Sequence, residues 1–384
     1  MNQNNFNYNN TIKSHCLSGD FSPKKLHNYS GTTSHHRCPR LVLLAALMFG
    51  VGLFASCEKA FMSPDLSASA VNTFDYLWTK VDQQYSMFDV KDVDWNAVYD
   101  SIRPKVHNGM KSDSLFNVCA GMLDLLRDGH VNLVGPYDVS LSSDVYHGFY
   151  SESGIDRNTV FLYYLGSGYH VSGGMTHNAL ADGKVIYILY SSFSNGVSDA
   201  QLRNLHKLYP DAQGMIFDIR GNGGGALSNV YELLKLFRSH GQQIYSSQIK
   251  NGPGHNDFSP LQPTFAPKAD TTTCFNLPVY VLTDRGCFSA ASTFAIATQA
   301  YDHVHLLGDT TGGGMGLPAM GVLPNGWNYR FSITRTLALD GRNYENGVPP
   351  DIPVKFNPDL AFHSHRDNII DTAVQLILGD QASL

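Results

Sequence analysis

Beyond residue 57 the chain has only three cysteines, Cys119, Cys274 and Cys287. Three thiols with no paired spacing make neither a disulfide framework nor a zinc site. No cofactor fingerprint appears either, so no cofactor or metal is expected. Charge is sparse, at 16% of residues with a formal net charge of -6, and no basic run follows the first 57 residues. A nucleic-acid partner is therefore not expected. Long apolar runs are confined to residues 41–55, a stretch too short for a standard membrane span. No internal repeat or low-complexity tract follows it. What is abundant is core-forming material, with 43% hydrophobic residues in 384, enough for one large or two smaller folded domains.

The N-terminus reads as a targeting segment. Residues 1–40 are polar and carry Lys24, Lys25, Arg37 and Arg40. The apolar run that follows has the length of a signal-peptide core. Phe54-Ala55-Ser56-Cys57 then places small residues directly before a cysteine, which resembles a bacterial lipobox. Its usual leucine is replaced here by Phe54. The expectation is a leader over 1–57 with Cys57 lipidated, an exported, envelope-bound product and a membrane contact through that lipid. A plain signal peptide and an uncleaved anchor are the alternatives.

Three segments after the leader have helical periodicity. Val71, Phe74, Leu77, Trp78, Val81 and Tyr85 share one face. Trp95, Val98, Ile102 and Val106 repeat the pattern. Leu115, Phe116, Cys119, Met122, Leu123 and Leu126 form the third, with Ser112 or Asp113 as its cap. Together they suggest a small helical domain over 58–135. Residues 136–182 read as a β-rich connection, in which the run 159–164 alternates like a strand. From 183 onward β and α patterns alternate. Strands are expected at 185–190, 214–219, 278–283 and 304–307, helices at 200–208, 230–237, 290–300 and 368–378, and a strand or hairpin at 329–336. That alternation predicts a layered α/β core over 183–384.

Two strand-to-helix turns carry candidate chemistry. The first is Asp218-Ile219-Arg220-Gly221-Asn222-Gly223-Gly224-Gly225. Its glycines permit positive φ and close backbone approach, and its N–H groups can converge on developing negative charge. The Lys-Ser/Thr ending of a nucleotide loop is missing. The plain alternative is a tight turn around a buried Asp–Arg pair. The second turn is Gly286-Cys287-Phe288-Ser289-Ala290-Ala291. It places Ser289 at a helix N-terminus, where a serine is more often a cap than a nucleophile. A nucleophilic serine needs a base. His130, in Arg127-Asp128-Gly129-His130, and Glu345, in Tyr344-Glu345-Asn346-Gly347, are isolated candidates for base and orienting acid.

Four blocks in order (126–130, 214–225, 279–294 and 308–351) resemble the tail-specific protease family, peptidase family S41. The likeness is to the branch that includes the tricorn protease core. The resemblance implies a crotonase/Clp-peptidase-like core of stacked ββα units and a serine peptidase. It implies Ser289 as nucleophile, His130 as base and Glu345 as orienting acid, with Gly223, Gly224 and the Ala290 amide in the oxyanion hole. The implied partner is a peptide or unfolded polypeptide, cleaved through an acyl-enzyme. The Ser–Lys dyad of many relatives is excluded, because no lysine stands between Lys268 and Lys355. Ser292 occupies a position where the family often has Glu, and the inserted peptide-binding PDZ domain is missing. A non-catalytic binder of an apolar ligand on the same fold is the main alternative. A hydrolase of non-peptide substrates and a structural surface lipoprotein follow it.

Overall fold

The computed structural model describes residues 67–142, 145, 154–268 and 270–379. The leader and Cys57 lie outside the described residues. So does part of the 136–182 connection.

Three longer helices, α1 (Ala70–Gln84), α2 (Trp95–Ile102) and α3 (Ser112–Asp124), open the described chain, with a single helical turn at Phe88–Lys91 between the first two. Ser69 caps α1 and Asp94 caps α2 through side-chain oxygens. Lys111 precedes α3 without a side-chain cap, so Ser112 is its first helical residue rather than its cap. Phe74, Leu77 and Val81 on α1 are buried together with Phe116, Met122 and Leu123 of α3. Burying each such side chain is worth about 1.5–3 kcal/mol. The same cluster takes in Trp327, Tyr329 and Phe331 from far along the chain. This packing rests on a small antiparallel sheet, in which β1 (Asn132–Val134) pairs with a later strand at Asn328–Ser332.

The run 159–164 is helical, not a strand. A turn at Arg157–Thr159 continues into a π-helical stretch, Val160–Leu165. The Asp156 carboxylate accepts from the Asn158 and Thr159 amides. Local capping therefore overrides the alternating pattern.

The central sheet contains β2 (His170–Ser172), β3 (Met175–Leu180), β4 (Val185–Tyr190), β5 (Gly214–Asp218), β8 (Val279–Thr283), β9 (Val304–Gly308) and β13 (Ile352–Pro353). Its order is β13-β9-β8-β5-β4-β3-β2. From β4 to β13 neighbouring strands run parallel, and β3 and β2 complete the edge antiparallel. Strand β4 is buried throughout, because both sheet faces are covered. Ile186, Ile188 and Tyr190 face the cluster built with α4 (Asp199–Leu208), α5 (Leu227–Leu234) and α6 (Ala290–Thr298). Val185, Tyr187 and Leu189 face the last helix, Asn368–Leu378. The helix expected at 230–237 begins three residues earlier; Leu236 falls in the turn after it, and Phe237 bridges to Phe275. Residues 329–336 supply two strands to two different sheets. β11 (Asn328–Ser332) pairs with β10 (Pro318–Val322), and β12 (Thr334–Leu337) pairs with β6 (Gln243–Ile249), which in turn pairs with β7 (Gln262–Phe265).

A buried ionic group ties this sheet together. Arg220 is fully buried, 2.6 Å from Asp218 and 2.9 Å from Asp367. It also donates to the Gly154 carbonyl at 2.7 Å. The Tyr187 hydroxyl donates to Asp218 at 2.7 Å. Removing the cation would leave two uncompensated carboxylates inside the protein. Arg220→Ala is therefore expected to cost about 3–5 kcal/mol of stability in urea denaturation. A change too small to resolve would show that the turn after β5 does not depend on this group.

Candidate functional site

Strands β5 and β8 are parallel neighbours, so their C-terminal turns lie side by side at the end of the sheet where open α/β proteins bind ligands. Asp284 stitches them together. Its carboxylate accepts from the amides of Gly221 at 2.8 Å and Gly154 at 3.0 Å. The Phe288 amide donates to the Asn222 carbonyl at 3.0 Å. Cys287 is fully buried and its thiol donates to the Ile219 carbonyl. Burial pushes that thiol well above its usual range, so it is packing material rather than a nucleophile.

Ser289 ends the β8 turn directly before α6. Its backbone sits at φ 58°, ψ -119°, a conformation that is costly for a residue with a side chain. The strain is held by the Ser289 amide donating to the Gly313 carbonyl at 2.8 Å and by the Thr293 amide donating to the Ser289 carbonyl at 2.9 Å. Ser289 Oγ lies 3.1 Å from His130 Nε2, although the two residues are 159 positions apart. His130 arrives from the turn between α3 and β1. Its amide donates to the Asp128 carboxylate at 2.7 Å, and Asp128 also accepts from the Tyr85 hydroxyl at 2.8 Å. The Phe288 ring lies 4.9 Å from the imidazole.

The glycine-rich turn presses against the serine. A Cβ on Gly224, at φ 97°, would stand 2.8 Å from the Ser289 Cβ and 3.0 Å from the Ala290 nitrogen. Only glycine fits there. The Gly224 amide is itself occupied, donating to Asn222 Oδ1 at 2.9 Å. Among the described residues the amides of Gly223 and Ala290 donate to no other group. Two of the three expected oxyanion donors are thus free, and the third is spent on holding the turn.

Glu345 is buried beside the pair but does not hydrogen-bond to His130. Its Oε2 accepts from the amides of Met315 at 2.8 Å and Gly316 at 3.2 Å, while among the described residues its Oε1 and His130 Nδ1 have no hydrogen-bond partner. Both side chains instead face the Gly316 peptide. Its N–H reaches Glu345, and its carbonyl is near enough to the ring to favour the imidazolium. Burial, reinforced by the Asp128 charge, pushes Glu345 up to about 8. Burial lowers His130 below its ordinary value, and Asp128 opposes it. Direct orientation of the imidazole by Glu345 is therefore not what the geometry shows.

Three contributors have roles that the sequence did not reveal. Asn222 holds the glycine turn, Asp128 holds the His130 backbone, and Ser292 joins α6 to the glycine run. The Ser292 hydroxyl lies 2.9 Å from the Cys287 carbonyl and 2.9 Å from Thr311 Oγ1, and accepts from the Gly313 amide at 3.1 Å. Asn222 and Asp128 stand inside the quoted motifs, but nothing in one sequence gives a turn polar residue a partner.

Fold and site together define an α/β protein whose strand-end turns present a strained serine to a buried histidine. Residues 184–354 match Peptidase family S41, and residues 68–124 match the Tricorn protease C1 domain. The crystal structure of a putative peptidase from Parabacteroides merdae is 34% identical. It superposes with a TM-score of 0.76, covering 82% of this chain and 99% of that one. The chain belongs to peptidase family S41. The carboxy-terminal processing proteases CtpB and CtpA of Bacillus subtilis are 30% and 28% identical over 175 and 151 residues, or 45% and 39% of this chain. The matched stretch spans only 34% and 30% of those curated relatives. Mature CPAF complexed with lactacystin shares the fold at a TM-score of 0.60 and 12% identity, covering 81% of this chain and 99% of that one.

A buried acid with a raised pKa withdraws stability as pH climbs from its unfolded value toward its folded one, because the folded state binds the proton more tightly. Glu345→Gln should therefore raise the melting temperature relative to wild type at pH 8 and change it little at pH 5. Glu345→Ala strands two amides and should cost about 1–3 kcal/mol at both. Equal melting shifts for Gln at the two pH values would show that Glu345 is ionised throughout.

Proposed function

We propose that this protein is a serine peptidase in which Ser289 is the nucleophile and His130 the general base. The reading rests on the 3.1 Å approach of His130 Nε2 to Ser289 Oγ, made at a strained helix N-terminus between two free amides. His130 takes the Ser289 proton as Oγ attacks a peptide carbonyl. The carbonyl oxygen gains the negative charge and is received by the amides of Gly223 and Ala290. His130 then protonates the departing amine, and water hydrolyses the acyl-enzyme by the same route. Glu345 and Asp128 act behind the ring. Asp128 stabilises the imidazolium by charge, and Glu345 fixes the Gly316 peptide that the ring faces. The substrate is a peptide or unfolded polypeptide. Export follows from the signal-like run 41–55, and membrane attachment from lipidation of Cys57. Among the described residues no helix is long and apolar enough to cross a membrane.

Labelling of the purified protein by a fluorophosphonate probe tests the mechanism. Wild type should label at Ser289, and both Ser289→Ala and His130→Ala should lose labelling by at least about a hundredfold, since general-base catalysis supplies 10²–10⁴-fold. The base must be neutral, and burial lowers its pKa. Labelling should therefore persist below pH 6.5 and fall only in more acidic buffer. Undiminished labelling of the His130→Ala protein would overturn the assignment. The anchor is tested by the mass of the mature N-terminus from native cells, where a diacylated Cys57 is expected and an unmodified one would remove the membrane contact.

A further inference from the structure

The chain that leaves His130 builds a second recess, away from the strand-end turns. Strand β1 ends in a tight hairpin. The Gly135 amide donates to the Asp138 carbonyl at 2.9 Å and the Ser140 amide to the Leu133 carbonyl at 2.8 Å, while Val134 bridges to Val139. The hairpin lies so close to the start of α3 that a Cβ on Gly135 would stand 3.0 Å from the Phe116 ring. Between them opens a groove of about 480 Å³, a size that suits a small ligand or one long side chain. It is lined by Phe116, Trp327 and Tyr137 and by the polar side chains of Asp113, Asn117 and Asp138, among others.

Three features of this groove do nothing for the fold. Tyr137 is 98% exposed at the tip of the hairpin, so its ring covers no core. Trp327 is only 5% exposed and packs edge-on against Phe116, with ring centroids 5.4 Å apart. Its indole N–H has no hydrogen-bond partner among the described residues, yet it is not one of the fully enclosed polar atoms. It is therefore a spare donor that opens onto the groove Trp327 lines. Asp113 and Asp138 each give one carboxylate oxygen to the next residue's amide, that of Ser114 at 2.9 Å and that of Val139 at 2.8 Å. Among the described residues neither forms an ion pair, so each presents a free oxygen.

Two carboxylates, an aromatic face and a lone N–H donor complement a cationic side chain carried on a peptide backbone. The cation meets the carboxylates and the Tyr137 ring, and a backbone carbonyl accepts from Trp327. A neutral sugar could stack on Tyr137 but would leave the charge of both aspartates unused, and an anion would be repelled. We propose that this groove binds a lysine or arginine side chain of the substrate polypeptide, at a distance from the scissile bond. The proposal rests on the peptidase reading above for the nature of its ligand. Gly135 stands five residues after His130, at most about 18 Å away. Five or six residues of extended chain therefore span the distance from the reacting serine to the groove.

Calorimetric binding to the inactive Ser289→Ala protein tests the site. Peptides of one fixed sequence carry a single Lys stepped outward from a fixed bond, each paired with its Gln counterpart. At least one Lys peptide should bind about fivefold or more tightly than its Gln partner, with a difference that shrinks in high salt. Tyr137→Ala, Asp113→Asn and Asp138→Asn, each first checked for a wild-type melting temperature, should each reduce that preference. The two Asn variants keep the acceptor for the neighbouring amide, and Tyr137 covers no core, so all three are expected to fold. Equal affinity within every Lys and Gln pair would overturn the site, as would a preference that survives in all three variants. Tyr137-dependent binding of a neutral saccharide with no Lys preference would give the groove a different ligand and overturn it too. Failure of wild type to label with a fluorophosphonate would overturn the peptidase reading alone, because the peptide measurement needs no turnover.

Discussion

Everything at the site depends on the parallel pairing of β5 with β8, in the register that sets Asp218 beside Leu282. Parallel neighbours end at the same edge of a sheet, so the turn that leaves one meets the turn that leaves the other. One of these turns is glycine-rich and the other carries Ser289. Asp284 and Asn222 lock them at hydrogen-bond distance. The pairing itself is held from below by Arg220 between Asp218 and Asp367. A buried ion pair of this kind adds little net stability over an apolar replacement, but removing one partner leaves an uncompensated buried charge.

The electrostatics divide the same way. In the proposed mechanism, negative charge developing at a substrate carbonyl would meet backbone amides, which need no reorganisation. Positive charge developing on His130 would meet Asp128, whose carboxylate is already held by Tyr85 and the His130 amide. Glu345 lies close by but is held toward its neutral form, so its part is to fix backbone rather than to supply charge. The Gly312–Gly314 run excludes bulk. A Cβ on Gly313 would collide with the Glu345 carbonyl, and the Gly313 carbonyl is what receives the strained Ser289 amide.

Much of the architecture was legible in the chain. The buried strands at 185–190 and 214–218 announce themselves by continuous apolar runs, and the last helix at 368–378 by its periodicity. What failed did so for identifiable reasons. The run 159–164 alternates like a strand, but Asp156 caps it into a helix. The segment 329–336 looks like one hairpin, yet its halves join separate sheets because their partners lie elsewhere in the chain. Strands β6, β7 and β10 went unread. All three are partly exposed, and β7 spans only four residues, so neither period dominates.

The sequence by itself determined the inventory: an α/β core, two glycine-bearing turns after strands, a serine before a helix, and no lysine between 268 and 355. These follow from local preference and period, which neighbours in the chain suffice to set. Only the tertiary structure decided which atoms meet. His130 reaches Ser289 across 159 residues, the Gly224 amide turns to Asn222 instead of the site, and Glu345 takes backbone amides rather than the imidazole. Such choices turn on distances of a few tenths of an ångström between segments remote in the chain, and no local pattern carries that information.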